Sequence, residues 1–139
     1  PEHFQDLVGR NYLVLWMNFV FGKQNVMQNK LVAIGLHKLA QEQLEEMGAV
    51  DVLLVPVGGK FTLDARIAAE VVRQVDPWVV IPMHYQQEGL DKKLFEGLAG
   101  VEDFLKEMGA TAAAPIAKLS ISRDRLPQEM QVVVLERKE

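Results

Sequence analysis

Three histidines, His3, His37 and His84, are the only side chains of this sequence that can act as nitrogen ligands or as bases near neutral pH, and there is no cysteine. Without thiols, disulfide scaffolds, thiolate metal sites and thiol nucleophiles are excluded. His84 has the most suggestive surroundings. It follows the apolar run Trp78–Ile81 and the rigid Pro82, and Tyr85 brings a hydroxyl beside it. A neutral imidazole is a common zinc ligand, although by spacing alone a structural histidine is the commoner case. His37 precedes a helical pattern, where a capping or surface role is the default, and His3 lies near the terminus. No Ser-His-Asp set can be assembled: Ser120 and Ser122 have no histidine near them in sequence, and Glu45-Glu46 reads as a solvated helix face.

The second chemical feature is Gly58-Gly59-Lys60-Phe61-Thr62. A phosphate loop needs two glycines with four residues between them, then lysine and a hydroxyl residue. Leu54 stands at the first glycine position and Phe61 follows the lysine, so the pattern fails twice. A tight turn with positive φ, followed by a helix capped by Thr62, is the simpler reading. Amides at that helix start could still receive an anionic substrate group.

Both features need elements to carry them. Asp51–Val57 is a continuous apolar run, as expected of a central strand covered on two faces. Leu63, Ile67, Val71 and Val75, with Ala68 and Val72, form one stripe of an amphipathic helix that Asp76-Pro77 ends. Trp78–Ile81 is the next strand. A short helix is expected within Leu90–Leu98, a clearer one over Val101–Met108 stopped by Gly109, and strands near Ile116–Ile121 and over Gln131–Leu135, with a loop at Pro127 between them. Upstream, Tyr12–Phe21 reads as a buried strand, Gly22-Lys23 as a turn, Leu31–Ile34 as a short strand, and Ala40–Met47 as a helix closed by Gly48. The class is α/β. In such folds ligands bind beyond the carboxyl ends of strands. If the strands before Gly58 and His84 are parallel neighbours joined by the helix, the glycine loop and His84-Tyr85 share one edge.

The chain has 139 residues, 49% hydrophobic and 24% charged, which suits a single domain spanning 1–139 with one core. Its formal net charge of −4 argues against a general nucleic-acid binder. The longest early apolar stretch is interrupted by Asn18, too short for a membrane helix, and the start is not that of a signal peptide. A cytoplasmic protein is expected. Pro1 fits either removal of an initiator methionine or a chain that begins inside a longer protein.

The stretches Leu39–Gly48, Val50–Gly59, Phe61-Thr62 and Val79–Tyr85 resemble the metallo-β-lactamase superfamily, in the zinc-dependent hydrolase branch similar to ascorbate-6-phosphate lactonases. So do Val101–Gly109, Lys118-Leu119 and Leu126–Leu135. The likeness covers residues 36–139, with residues 1–35 poorly matched. It implies the C-terminal half of an αββα sandwich and a metal-dependent hydrolase of a lactone, phosphoester or similar small substrate. By resemblance His84 matches a metal-binding histidine and His37 a weaker one, while Gly58, Gly59 and Tyr85 lie beside the substrate. Zinc, manganese or iron is the expected metal. The family's H-x-H-x-D-H signature is absent, and Ile34 stands where its bridging aspartate is expected. The site is therefore expected to be incomplete in this chain, which is a fragment, a degenerate relative, or one part of a composite site. The alternative is a non-catalytic scaffold or oligomerisation module without metal. Either reading expects a homo-oligomer or a complementing chain.

Overall fold

A computed structural model describes residues 12–14, residue 45, and 49–60 and 62–138. Four strands, β1 (Tyr12–Val14), β2 (Val52–Pro56), β3 (Val79–Met83) and β4 (Gln131–Val132), form one sheet in the order β1-β2-β3-β4. Every pairing is parallel, with Tyr12 opposite Val52, Val52 opposite Val79, and Val79 opposite Gln131. Two helices are fully described, α1 (Ala65–Val75) and α2 (Val101–Glu107), with a 3-10 turn at Arg123–Arg125. The expected α/β class is met. Of the upstream elements, the strand is found over Tyr12–Val14 and Glu45 is helical. The rest of the Tyr12–Phe21 strand, the turn at Gly22, the Leu31–Ile34 strand and the remainder of the Ala40–Met47 helix lie outside the described residues.

A parallel sheet is stable only with both faces covered. Alternate residues of β2 and β3 accordingly enter two clusters. Leu53, Val55, Val57 and Val80 pack with Ala68, Val71 and Val72 of α1 and with Phe104 and Leu105 of α2. Val52, Val79, Ile81 and Val133 form the second cluster, against which Leu54, Leu119, Ile121 and Leu135 pack. This two-sided burial is why Asp51–Val57 shows no polar alternation. The helices are tied to each other by Arg73, whose Nη2 donates to Glu107 O (2.8 Å). That bond gives the carboxyl end of α2 a cationic partner.

Several boundaries differ from expectation. The N-cap of α1 is Asp64, not Thr62: Asp64 Oδ1 accepts from Ile67 N at 2.8 Å. Leu63 is buried ahead of the helix, so the helix starts after it, and the carboxylate of Asp64 meets both the free amides and the dipole. Within the helix the buried residues are Ala68, Ala69, Val71 and Val72, while Ile67 and Val75 are partly buried. Asp76 ends α1 in the left-handed region (φ 51°), its N–H donating to Val72 O (2.8 Å).

Residues 91–97 form turns rather than the expected helix. Asp91 Oδ1 accepts from Lys93 N (2.8 Å) and Leu94 N (3.0 Å), a local competition with helical bonding. Gly97, at φ 87°, turns the chain away. Ile116–Ile121 is not a strand either. Ile116 makes a single parallel bridge to Leu135, and Leu119 and Ile121 serve as a cover for the sheet. Extended pairing of β4 is confined to Gln131–Val132, while Val133 N still donates to Val80 O (2.8 Å).

Candidate functional site

The carboxyl ends of β2 and β3 meet, as the parallel arrangement requires. Val57 N donates to Met83 O (3.0 Å), continuing the ladder to the last residue before Gly58. The chain after α1's partner strand then closes around the same point: Ala99 N donates to Gly58 O (3.0 Å) and Gln86 N to Ala99 O (2.8 Å). Gly58 touches the backbone of His84 so closely that a Cβ there would fall on the His84 carbonyl oxygen and 2.6 Å from Leu98 Cδ2. Close backbone approach, not positive φ, is what this glycine provides. Positive φ belongs to Gly59 (80°).

His84 itself adopts φ 51°, a left-handed conformation uncommon outside glycine, though asparagine, aspartate and histidine adopt it more often than other residues. A non-glycine residue held there costs on the order of 1–3 kcal/mol and persists only where its surroundings fix it. The contact with Gly58 and the bonds through Ala99 are those surroundings. The side chain of His84 is exposed, whereas that of Tyr85 is buried in the helix-side core. Burial pushes the Tyr85 phenol above its ordinary pKa; the charge of Glu102 adds to this, and a hydrogen bond with Gln87 opposes it. Tyr85 is thus an anchor next to His84, and it is also among the residues that line the cleft at this edge.

A cleft of about 380 Å³ opens at this edge, on the face of the sheet opposite the helices. Leu54, Ile81 and Leu135 are among its apolar lining, Leu90 and Phe95 come from the turn region, and His84 and Arg137 bring polar groups. Arg137 Nη1 donates to Glu88 O (3.1 Å). Neither Arg137 nor the Glu88-Gly89 turn stands out from the sequence, because nothing local marks them; they meet at the site through this long-range hydrogen bond.

The glycine loop faces differently. A second cavity of about 330 Å³ lies between the start of α1 and α2, lined by Gly58, Gly59, Asp64, Arg66, Asp103 and Lys106 among others. Gly59 N donates to Leu63 O (3.0 Å), and Asp64 occupies the amide of Ile67. Lys60 Nζ donates to Leu94 O (3.4 Å) and Glu96 O, bracing the 91–97 turns. A carboxylate at the helix start and a lysine spent on carbonyls agree with the failed phosphate-loop pattern.

A catalytic zinc site wants about three protein donors and an open position. Among the described residues no three of His, Asp and Glu come together as a group able to hold a metal ion. His84 is a single donor, so these residues by themselves do not fit a metal centre. His37 and His3 lie outside the described residues. No helix among the described residues is long and apolar enough to cross a membrane.

Comparison with known proteins places this geometry. Residues 33–84 match the model of a β-lactamase superfamily domain. The chain is 50% identical over 42 residues to a UPF0173 metal-dependent hydrolase of Carboxydothermus hydrogenoformans, covering 30% of this chain and 19% of that relative. To the UPF0173 metal-dependent hydrolase of Thermoplasma acidophilum it is 38% identical over 65 residues, covering 42% and 29%. In three dimensions it is similar to a Thermotoga maritima chain, a candidate Zn-dependent hydrolase of the metallo-β-lactamase superfamily. That match has a TM-score of 0.61 at 38% identity and covers 73% of this chain. The chain spans half of that structure, and its matched segments are less than a third of the curated relatives. The expected resemblance is therefore met in sequence and in fold. The small parallel sheet with its helices is similar to part of a metallo-β-lactamase fold, and none of these matches supports the metal-free scaffold.

Proposed function

We propose that this chain, similar over most of its length to metallo-β-lactamase-type hydrolases, carries one side of the active site of a metal-dependent hydrolase, with His84 as a metal donor. The observation that carries this reading is the placement of His84. It is exposed at the carboxyl end of β3, its backbone is fixed in the left-handed region against Gly58, and the family match ends on it. One imidazole falls short of a catalytic set. The remaining donors come from outside the described residues, His37 being the first candidate, or from a complementing or identical chain. Zinc, manganese and iron are the metals to consider.

The substrate is a lactone, phosphoester or similar small ester-like molecule. In the overall reaction the oxygen of water bonds to the carbonyl carbon or phosphorus, the bond to the leaving oxygen breaks, and a proton passes to that oxygen. The residues in hand hold and orient. Gly58 and Leu98 seat the His84 backbone, the buried Tyr85 ring fixes the chain that follows, and the apolar walls of the cleft exclude water around the bound molecule. Gly58 acts on that edge only through its close contact with the His84 backbone, and Gly59 turns the loop toward the second cavity.

The test is elemental analysis of the purified chain, with any co-purifying partner, alongside hydrolysis of a lactone, a carboxylic ester and a phosphoester. His84→Ala is expected to lower bound metal at least about tenfold, since loss of even an outer partner of a ligand has effects of that size. Absence of metal from the wild type, together with no change in stability or hydrolysis in His84→Ala, refutes the reading.

A further inference from the structure

The cleft beside His84 has a chemical asymmetry that hydrolysis alone does not require. Its floor and walls are apolar, with Leu54, Ile81, Leu135 and Phe95, while Arg137 is the permanently charged side chain among the residues lining it. Arg137 is seated. Its Nη1 donates to Glu88 O (3.1 Å), across a separation that joins the last strand to the turn after β3. The turn makes room for it: Gly89 has φ 83°, and a Cβ there would lie 3.1 Å from Arg137 Nη1. A guanidinium has five N–H donors in a fixed fork. The Glu88 carbonyl takes one of these donors and ties the exposed head to the cleft.

We propose that this cleft binds a substrate with an apolar body and an anionic end group, carboxylate or phosphate, and that Arg137 is the residue that selects for the anion. The volume of about 380 Å³ falls in the range of small-ligand sites, which are mostly apolar with a few placed polar groups. A planar fork matches the two oxygens of either anion. The chain's net charge of −4 makes the choice more telling, because general electrostatics would repel an anion and a local cation must overcome that. This inference rests on the hydrolase reading for what happens at the bound molecule, but not for binding itself.

Isothermal titration of the purified chain with three probes tests it: 4-phenylbutyrate, phenyl phosphate and the neutral 4-phenylbutanol. The wild type is expected to bind at least one anion about tenfold more tightly than the alcohol at low salt, the scale of a charge-assisted hydrogen-bonded pair. Comparing the two anions distinguishes a carboxylate from a phosphate end group. Arg137→Gln is expected to abolish the preference and leave the alcohol's affinity unchanged. Should that variant not fold, Arg137→Lys carries the test, with a reduced preference expected. Binding of none of the probes, equal binding of all three, or a preference that survives unchanged in the variant overturns the proposal. Metal content and hydrolysis measured on the same preparations separate the two ideas. A metal-free, inactive chain that keeps an Arg137-dependent preference refutes the hydrolase reading alone, and a metal-loaded chain without the preference refutes this one alone.

Discussion

Gly58→Ala probes the joint on which the candidate site depends. The added methyl group meets the carbonyl oxygen of His84, which is backbone and cannot swing aside, and Leu98 Cδ2 at 2.6 Å. Carbon atoms in good contact sit about 3.5–4.0 Å apart, so the buried Leu98 must retreat by roughly 1 Å and the β2–β3 edge must open. Forcing a methylene-sized group into a packed site costs about 1–3 kcal/mol. The lower entropy of the unfolded alanine chain returns about 0.4–1 kcal/mol. The net expectation is a loss of about 1–2 kcal/mol, a fall in Tm of roughly 3–8 °C for a domain of this size. Urea unfolding followed by circular dichroism, with a thermal scan, reads it. Gly109→Ala is the control: it has φ 67° and open space around its Cβ, so it carries conformational cost without collision. Gly58→Ala combined with Leu98→Ala remains destabilised relative to Leu98→Ala, because the carbonyl contact persists. If Gly58→Ala unfolds within about 0.5 kcal/mol of the wild type, below the typical cost of overpacking, the close seat of His84 is not real.

Two further outcomes follow from the same structure. Burial raises the Tyr85 pKa, so the folded chain keeps its phenolic proton after the unfolded chain has lost it. This group leaves stability unaffected below about pH 10 and lowers it as pH rises from there through the folded value; urea midpoints across that window show the slope, and Tyr85→Phe flattens it. Asp64→Ala removes the carboxylate that accepts from Ile67 N and is expected to cost about 0.5–2 kcal/mol, while Thr62→Ala, which removes a hydroxyl without a hydrogen-bond partner, costs less. Denaturant curves of the two variants side by side check the assignment of the cap.

The strands β2 and β3 and both helices were legible because each is a contiguous pattern. An apolar run means a strand covered on two faces, an i, i+4 stripe means one buried helix face, and Pro77 and Gly109 mark ends. The convergence of Gly58 and His84 was legible too, since a strand, helix, strand unit brings successive strand ends together. Elements whose form is decided by distant partners were not. Ile116–Ile121 has a strand's composition, yet it meets the sheet through Leu119 and Ile121 as a cover and pairs only at Ile116. Leu90–Leu98 has helix formers, but Asp91 takes the amides of Lys93 and Leu94 first. Arg137 reaches the cleft along the chain that follows β4 and is held there by the Glu88 carbonyl, which no local pattern encodes. His84 stood out in sequence by its neighbours, but the left-handed turn that presents it was invisible, because histidine's modest preference for that conformation does not mark a turn.

The all-parallel sheet also fixes an order of assembly. Val52 pairs with Val79 across a shorter stretch of chain than separates Tyr12 from Val52 or Gln131 from Val79. Closing a longer loop costs more entropy before any contact rewards it. The β2–α1–β3 unit is therefore expected to form ahead of the outer strands, which φ-value measurements check. Substitutions at Ala68 or Val80 slow folding, while those at Val133 chiefly speed unfolding. On that expectation the edge that presents His84 forms early and the chain after β4 that carries Arg137 docks later, so the two sides of the cleft are built at different times.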